Sequence, residues 1–100
     1  MPDISAELEA VAGPLKGSSI PLAEDEVSLG REPSNRIPLL DAAVSRRHCL
    51  IQMVARGLSF RDLDSTNGIT VNGFPAQDGF LSPGDKLQLG SYTLKVYRDD

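Results

Sequence analysis

Four short pieces of this chain concentrate side chains that can bind an anion: Leu29-Gly30-Arg31-Glu32, Val44-Ser45-Arg46-Arg47-His48, Asp62-Leu63-Asp64-Ser65-Thr66-Asn67-Gly68 and Val71-Asn72-Gly73. Arg31 offers a planar fork of donors that stays charged at every relevant pH and suits phosphate oxygens. Gly30 before it allows a sharp exit that aims the guanidinium. Ser45 to His48 adds a hydroxyl, loop amides and the cations Arg46 and Arg47. A serine hydroxyl and exposed loop amides bind the same oxygens that an arginine binds. Thr66 adds a hydroxyl, and the Asn67 amide both donates and accepts, so it can pair with an extended peptide backbone.

Each residue also has a plainer reading. Arg31 alone is a surface arginine paired with Glu32 or Glu26. His48 lies next to the most apolar segment, where a histidine normally braces a loop through hydrogen bonds rather than moving protons. Asn67 and Gly68 suit a turn, since both tolerate positive φ. Asp62 and Asp64 read as turn-capping carboxylates, and Asn72-Gly73 as a hairpin.

Charge narrows the partner. The chain carries a net charge of -4, which argues against bulk nucleic-acid binding. Yet between Arg31 and His48 four arginines face two acids, a local excess of +2. A basic cluster on an acidic chain suits a small anionic partner better than a polyanion. The single Cys49 forms no internal disulfide and the single His48 argues against a metal site, so no cofactor is expected. No apolar run approaches the ~20 residues of a membrane span, and the N-terminus lacks a signal-peptide pattern. A cytoplasmic location with no membrane contact is the expectation.

The elements that must position these loops read as strands. One hundred residues suffice for one core and one domain. Residues 1–5 read as a flexible lead-in, 6–98 as the domain and 99–100 as its C-terminal end. Strands are predicted at Ala6–Ala12, Ser19–Leu22, Val27–Gly30, Ile37–Leu40, Cys49–Val54, Leu58–Asp62, Ile69–Val71, Phe74–Ala76, Gly79–Leu81, Lys86–Leu89 and Tyr92–Tyr97. Glu24-Asp25-Glu26 reads as a turn, and Pro21 places its strand at a sheet edge. Seven prolines and nine glycines fit turns far better than helices. The fold class is therefore all-β: a sandwich of two packed sheets with function on the loops at one end.

In order and spacing, Gly30-Arg31, Ser45-x-x-His48, Ser65-Thr66-Asn67-Gly68 and Val71-Asn72-Gly73 resemble a forkhead-associated (FHA) domain of bacterial type, from Ala6 to about Arg98. The resemblance implies a SMAD/FHA-like β-sandwich of two twisted sheets and eleven short strands. It implies a phosphothreonine-peptide-binding module in signal transduction, and hence an upstream Ser/Thr kinase. By the same resemblance Arg31 and Ser45 contact phosphate, Arg46 lies near it, Thr66 makes a further contact and Asn67 pairs with the peptide backbone. Gly30, His48, Gly68, Asn72 and Gly73 support the loops. Arg46 and Arg47 both remain candidates for the extra cation. The stop after Arg98-Asp99-Asp100 suggests a module of a longer protein, and such modules can precede transcriptional activators.

Two rivals stand beside this reading. Ser45, His48 and Asp62 or Asp64 could be recited as a catalytic triad. There is no Gly-x-Ser-x-Gly elbow, however, and a serine and histidine three apart on one loop rarely reach triad geometry, so no enzyme is expected. A phospho-independent interaction module with the same fold is the stronger rival, since fold does not fix function.

Overall fold

The computed structural model describes residues 5–22 and 25–99. The chain forms eleven strands: β1 (Ser5–Ala12), β2 (Ser19–Pro21), β3 (Glu26–Gly30), β4 (Ile37–Pro38), β5 (Cys49–Val54), β6 (Gly57–Asp62), β7 (Ile69–Val71), β8 (Phe74–Ala76), β9 (Asp78–Leu81), β10 (Lys86–Leu89) and β11 (Tyr92–Asp99). They build a six-stranded sheet ordered β2-β1-β11-β10-β7-β8 and a five-stranded sheet ordered β4-β3-β5-β6-β9. The all-β sandwich expected from the turn-rich sequence is what forms. The expected lead-in, residues 1–5, lies outside the described residues except for Ser5, which already pairs in β1. Of the expected Glu24-Asp25-Glu26 turn, Glu24 lies outside them and Glu26 belongs to β3. At the far end, Asp99 extends β11 and Asp100 lies outside the described residues.

Alternation builds the core. In β1, Ala6, Leu8 and Ala10 are buried while Glu7 and Glu9 turn outward. The alternation fails at Val11 for a reason: Ala10 pairs with Leu94 and Ala12 with Thr93, so Val11 is the extra residue of a bulge. Leu8, Leu87, Leu89, Tyr92, Leu94 and Val96 from one sheet meet Leu29, Cys49, Ile51, Leu58 and Phe60 from the other in one cluster. Prolines mark the edges. Pro21, Pro38 and Pro75 sit in β2, β4 and β8, each the outermost strand of its sheet, where a missing N–H disrupts no ladder.

One strand is shorter than its sequence suggests. Ile37 and Pro38 pair in parallel with Leu29 and Gly30, and the Leu39 N–H still donates to the Gly30 carbonyl at 2.7 Å, but the strand itself ends at Pro38. Leu39 is fully buried and Leu40 is exposed, so the alternation begun by Ile37 and Pro38 runs on to Leu40 and the turn follows it. The Asp41 N–H closes that turn on the Leu39 carbonyl at 2.9 Å. The connection between the parallel neighbours β3 and β4 is only residues 31–36, far shorter than the dozen or so a parallel crossover normally takes. Such a tight return needs bracing from side chains, and the site is built on that bracing.

Candidate functional site

Two loops meet at the end of β3. The Arg31 N–H donates to the Ser45 carbonyl at 2.9 Å and the Glu32 N–H to the Arg46 carbonyl at 3.2 Å. The segment after β3 therefore runs alongside the segment before β5. Asn35, itself buried, locks the two: its Nδ2 donates to the Glu32 carbonyl at 2.9 Å and to the Arg46 carbonyl at 2.7 Å. Gly30 lies beneath this knot. A Cβ there would stand 2.2 Å from the Arg46 carbonyl oxygen and 2.7 Å from Asn35 Nδ2. Its φ is not positive, so the glycine serves close approach rather than the sharp exit its sequence position suggests.

The third loop is tied in by His48, which is fully buried. The Ser45 N–H donates to His48 Nδ1 at 3.1 Å, and His48 Nε2 lies 2.8 Å from the Gly68 carbonyl oxygen. An N–H can only donate and a carbonyl can only accept, so the ring is neutral with its proton on Nε2. The His48 backbone adds bonds to Leu29 and Leu63, both at 2.9 Å. Asp62 caps the same turn by accepting from the Ser65 N–H at 3.3 Å. Among the described residues its buried Oδ1 has no hydrogen-bond partner; it lies 4.0 Å from His48 Nε2. Gly68 has φ 78 and open space around it, so there the backbone conformation calls for glycine.

On this frame the donors converge. The Thr66 N–H donates to Ser45 Oγ at 3.0 Å, which leaves the serine's own O–H as a donor. Asn67 Nδ2 donates to the Ala43 carbonyl at 2.9 Å, using one of its two N–H groups. An open cleft of about 410 Å³ results, lined by Arg31, Ala42, Ala43, Val44, Ser45, Arg46, Arg47, Thr66 and Asn67. It brings together the five binding residues expected from sequence, Arg31, Ser45, Arg46, Thr66 and Asn67. Both Arg46 and Arg47 line it. Among the described residues, Arg31 makes no ion pair with Glu32 or Glu26.

Asn72 and Gly73 do not line this cleft. They form the β7–β8 hairpin with φ 53 and 87. Asn72 also fastens that hairpin: its Nδ2 donates to Asp85 Oδ1 at 3.0 Å, and its Oδ1 accepts from the Lys86 N–H at 2.9 Å.

Two residues with no site role expected from sequence hold the cleft's walls. Asn35 reads only as part of a polar loop, yet it joins both arginine-bearing segments. Asp41 straps the 41–48 loop to the turn before β11. Its Oδ1 accepts from the Ala43 N–H at 3.0 Å, and its Oδ2 from the Ser91 N–H at 2.8 Å and the Ser91 hydroxyl at 2.7 Å. The Ala43 bond first, then those from Ser91, hold its carboxyl below the usual range. The only signal for either was a short polar side chain inside a tight loop.

A family model described as the inner-membrane component of T3SS, cytoplasmic domain, matches residues 9–100. The oxoglutarate dehydrogenase inhibitor of Corynebacterium jeikeium is 36% identical over 94 residues, which are 94% of this chain and 65% of that protein. Glycogen accumulation regulator GarA of Mycolicibacterium smegmatis is 36% identical over 94 residues, 94% of this chain and 60% of that protein. The chain thus spans less than two thirds of either relative. A solved structure from a structural and functional study of phosphothreonine-dependent FHA domain interactions is 34% identical. It has a TM-score of 0.87, covering 96% of this chain and 98% of that one.

Proposed function

This chain belongs to the forkhead-associated (FHA) family, and from that membership we propose that it is a phosphothreonine-dependent binding module of signal transduction. The observation that carries the reading is the shared cleft: Arg31, Ser45, Arg46, Thr66 and Asn67 line one concave surface at one end of the sandwich. Arg31 and Arg46 supply charge-assisted donors, and the Ser45 hydroxyl, already oriented by the Thr66 N–H, supplies a neutral one. Thr66 lies beside the phosphorylated residue. Asn67 pairs with the partner's backbone through its carbonyl oxygen and remaining N–H.

Phosphorylation brings about -1.5 to -2 charges and three acceptor oxygens. Hydrogen bonds to charged groups are worth roughly 1.5–3 kcal/mol each, so three donors separate phosphorylated from unmodified peptide by two or more powers of ten. The geometry also speaks against acid–base catalysis by His48. Both ring nitrogens are engaged by backbone groups, so neither is directed at the Ser45 hydroxyl.

The partner is a protein whose threonine a Ser/Thr kinase has phosphorylated, met in the cytoplasm. No helix among the described residues is long and apolar enough to cross a membrane. The names of the relatives, a regulator and an inhibitor, support a regulatory output. A place as the sensor module of a longer transcriptional regulator is one form that output can take. Titration with matched peptides bearing threonine, phosphoserine and phosphothreonine tests the proposal. Phosphothreonine should bind at least ~100-fold more tightly than threonine. Equal affinities, unchanged by phosphatase treatment, would transfer the chain to the phospho-independent class.

A further inference from the structure

Each sheet has two edges, and three of the four carry a proline: Pro21 in β2, Pro38 in β4 and Pro75 in β8. The fourth, β9, is Asp78-Gly79-Phe80-Leu81, the longest edge strand at four residues and free of proline. Its hydrogen-bond phase is set by the Asp62 N–H, which donates to the Gln77 carbonyl at 2.6 Å. Bonded and non-bonded pairs alternate along an antiparallel ladder, so Phe60 with Gly79 and Leu58 with Leu81 are the bonded pairs of β6 and β9. The N–H and C=O groups of Asp78 and Phe80 therefore point away from β6, and no other described residue bonds them. The side chains of both lie on the outer face and are exposed. The Arg56 guanidinium sits 5.3 Å over the Phe80 ring. Among the described residues, neither Arg56 nor Asp78 makes an ion pair.

We propose that β9 is a self-pairing edge, at which two copies of this chain join β9 to β9 in antiparallel about a two-fold axis at Gly79. In that register Asp78 of each copy faces Phe80 of the other. The two outward N–H and two outward C=O groups of each copy then make four ladder bonds with none left over. Directly opposed side chains stand ~5 Å apart at Cβ. The Asp78 carboxylate thus arrives beside the other copy's Phe80 and the Arg56 cation stacked on it, and the symmetry repeats this contact. The ladder ends there. Both backbone groups of Ser82, the next outward residue, are taken by Asp85, and Ala76 belongs to β8 of the other sheet. So short a ladder makes a weak pair, half-associated on the order of 0.1–1 mM. The 63–68 loop leaves β6 at the Gln77 end, so antiparallel pairing sends the two clefts to opposite ends, and the pairing needs no phosphate.

The test uses the whole chain without ligand. Light scattering from ~20 μM to ~2 mM should show the average mass rising from 10.7 kDa toward twice that. Over the same range, hydrogen exchange of the Asp78 and Phe80 amides should slow about two- to sevenfold. Asp78→Arg and Arg56→Glu each set like charges against each other at both contacts, so each variant should fold and stay monomeric. Mixed in equal amounts, the two should associate again, because every contact between unlike copies then pairs opposite charges. A constant mass with exchange independent of concentration overturns the proposal. A dimer that survives either charge reversal also overturns it, as do two monomeric variants that stay monomeric when mixed.

Discussion

Arg31 and Ser45 meet through a single backbone bond, so the two are placed by the same contact yet differ in what they offer an anion. The guanidinium brings a full charge and two parallel donors; the hydroxyl brings one neutral donor. Arg31→Ala should therefore abolish measurable phosphopeptide binding with the melting temperature intact, because its side chain is exposed and makes no internal bond among the described residues. Ser45→Ala should cost roughly 1–3 kcal/mol of binding. It should also cost a little stability, since the Thr66 N–H loses its acceptor. Calorimetric titration and thermal melts of the two variants check both; an Arg31→Ala that binds normally removes Arg31 from the site. At this scale the sequence is informative wherever a residue's chemistry shows in its type: arginine, serine, threonine and asparagine in segments flanked by strands. It is silent about Asn35, whose role exists only once two carbonyls from different loops stand within reach of one amide. The reason for Gly30 is equally hidden, because close approach is a property of the neighbour and not of the glycine.

Between elements, the loops hold one another more than the strands hold them. His48 links the 41–48 loop through Ser45 and the 63–68 loop through Leu63 and Gly68, and anchors both to β3 at Leu29. Removing the ring leaves the half-buried Ser45 N–H and Gly68 carbonyl without their partner, at up to about 1–3 kcal/mol each. His48→Ala should thus lower the melting temperature by ~10 °C or more in a domain of this size, with the loss of binding following the loss of fold. A His48→Ala protein that melts normally but no longer binds would mean that the imidazole serves the ligand and not the loops. The strands themselves are legible because alternation and turn residues bound them, and most begin and end within a residue or two of expectation. The departures have local causes. The β1 bulge adds Val11, and β4 ends at Pro38, although burial alternates on to Leu40, because the Asp41 N–H turns the chain back onto the Leu39 carbonyl.

For the whole molecule, Cys49 reports how tightly the site is joined to the core. It opens β5, pairs with Leu29 on one side and Asp62 on the other, and directly follows His48. Its thiol is fully buried, and burial pushes its pKa up to about 12 from 9.0, with a backbone bond at Arg61 opposing and the Asp62 charge adding to the rise. The sign follows from proton counting. Above the unfolded value of 9.0, the unfolded chain gives up the thiol proton while the folded chain keeps it until about 12. The unfolded state then binds fewer protons, so stability falls as pH rises. The contribution is whole below 9.0 and is lost progressively toward 12, at no more than about 1.4 kcal/mol per pH unit. Other groups titrate in this range, so the informative quantity is a difference. Denaturant unfolding at about pH 8 and about pH 10.5 should show the native chain losing ~2 kcal/mol more than Cys49→Ala. The cavity left by the substitution lowers stability at both pH values and cancels. Equal losses in the two proteins would mean that the thiol ionises as easily folded as unfolded. The start of β5 would then open to water.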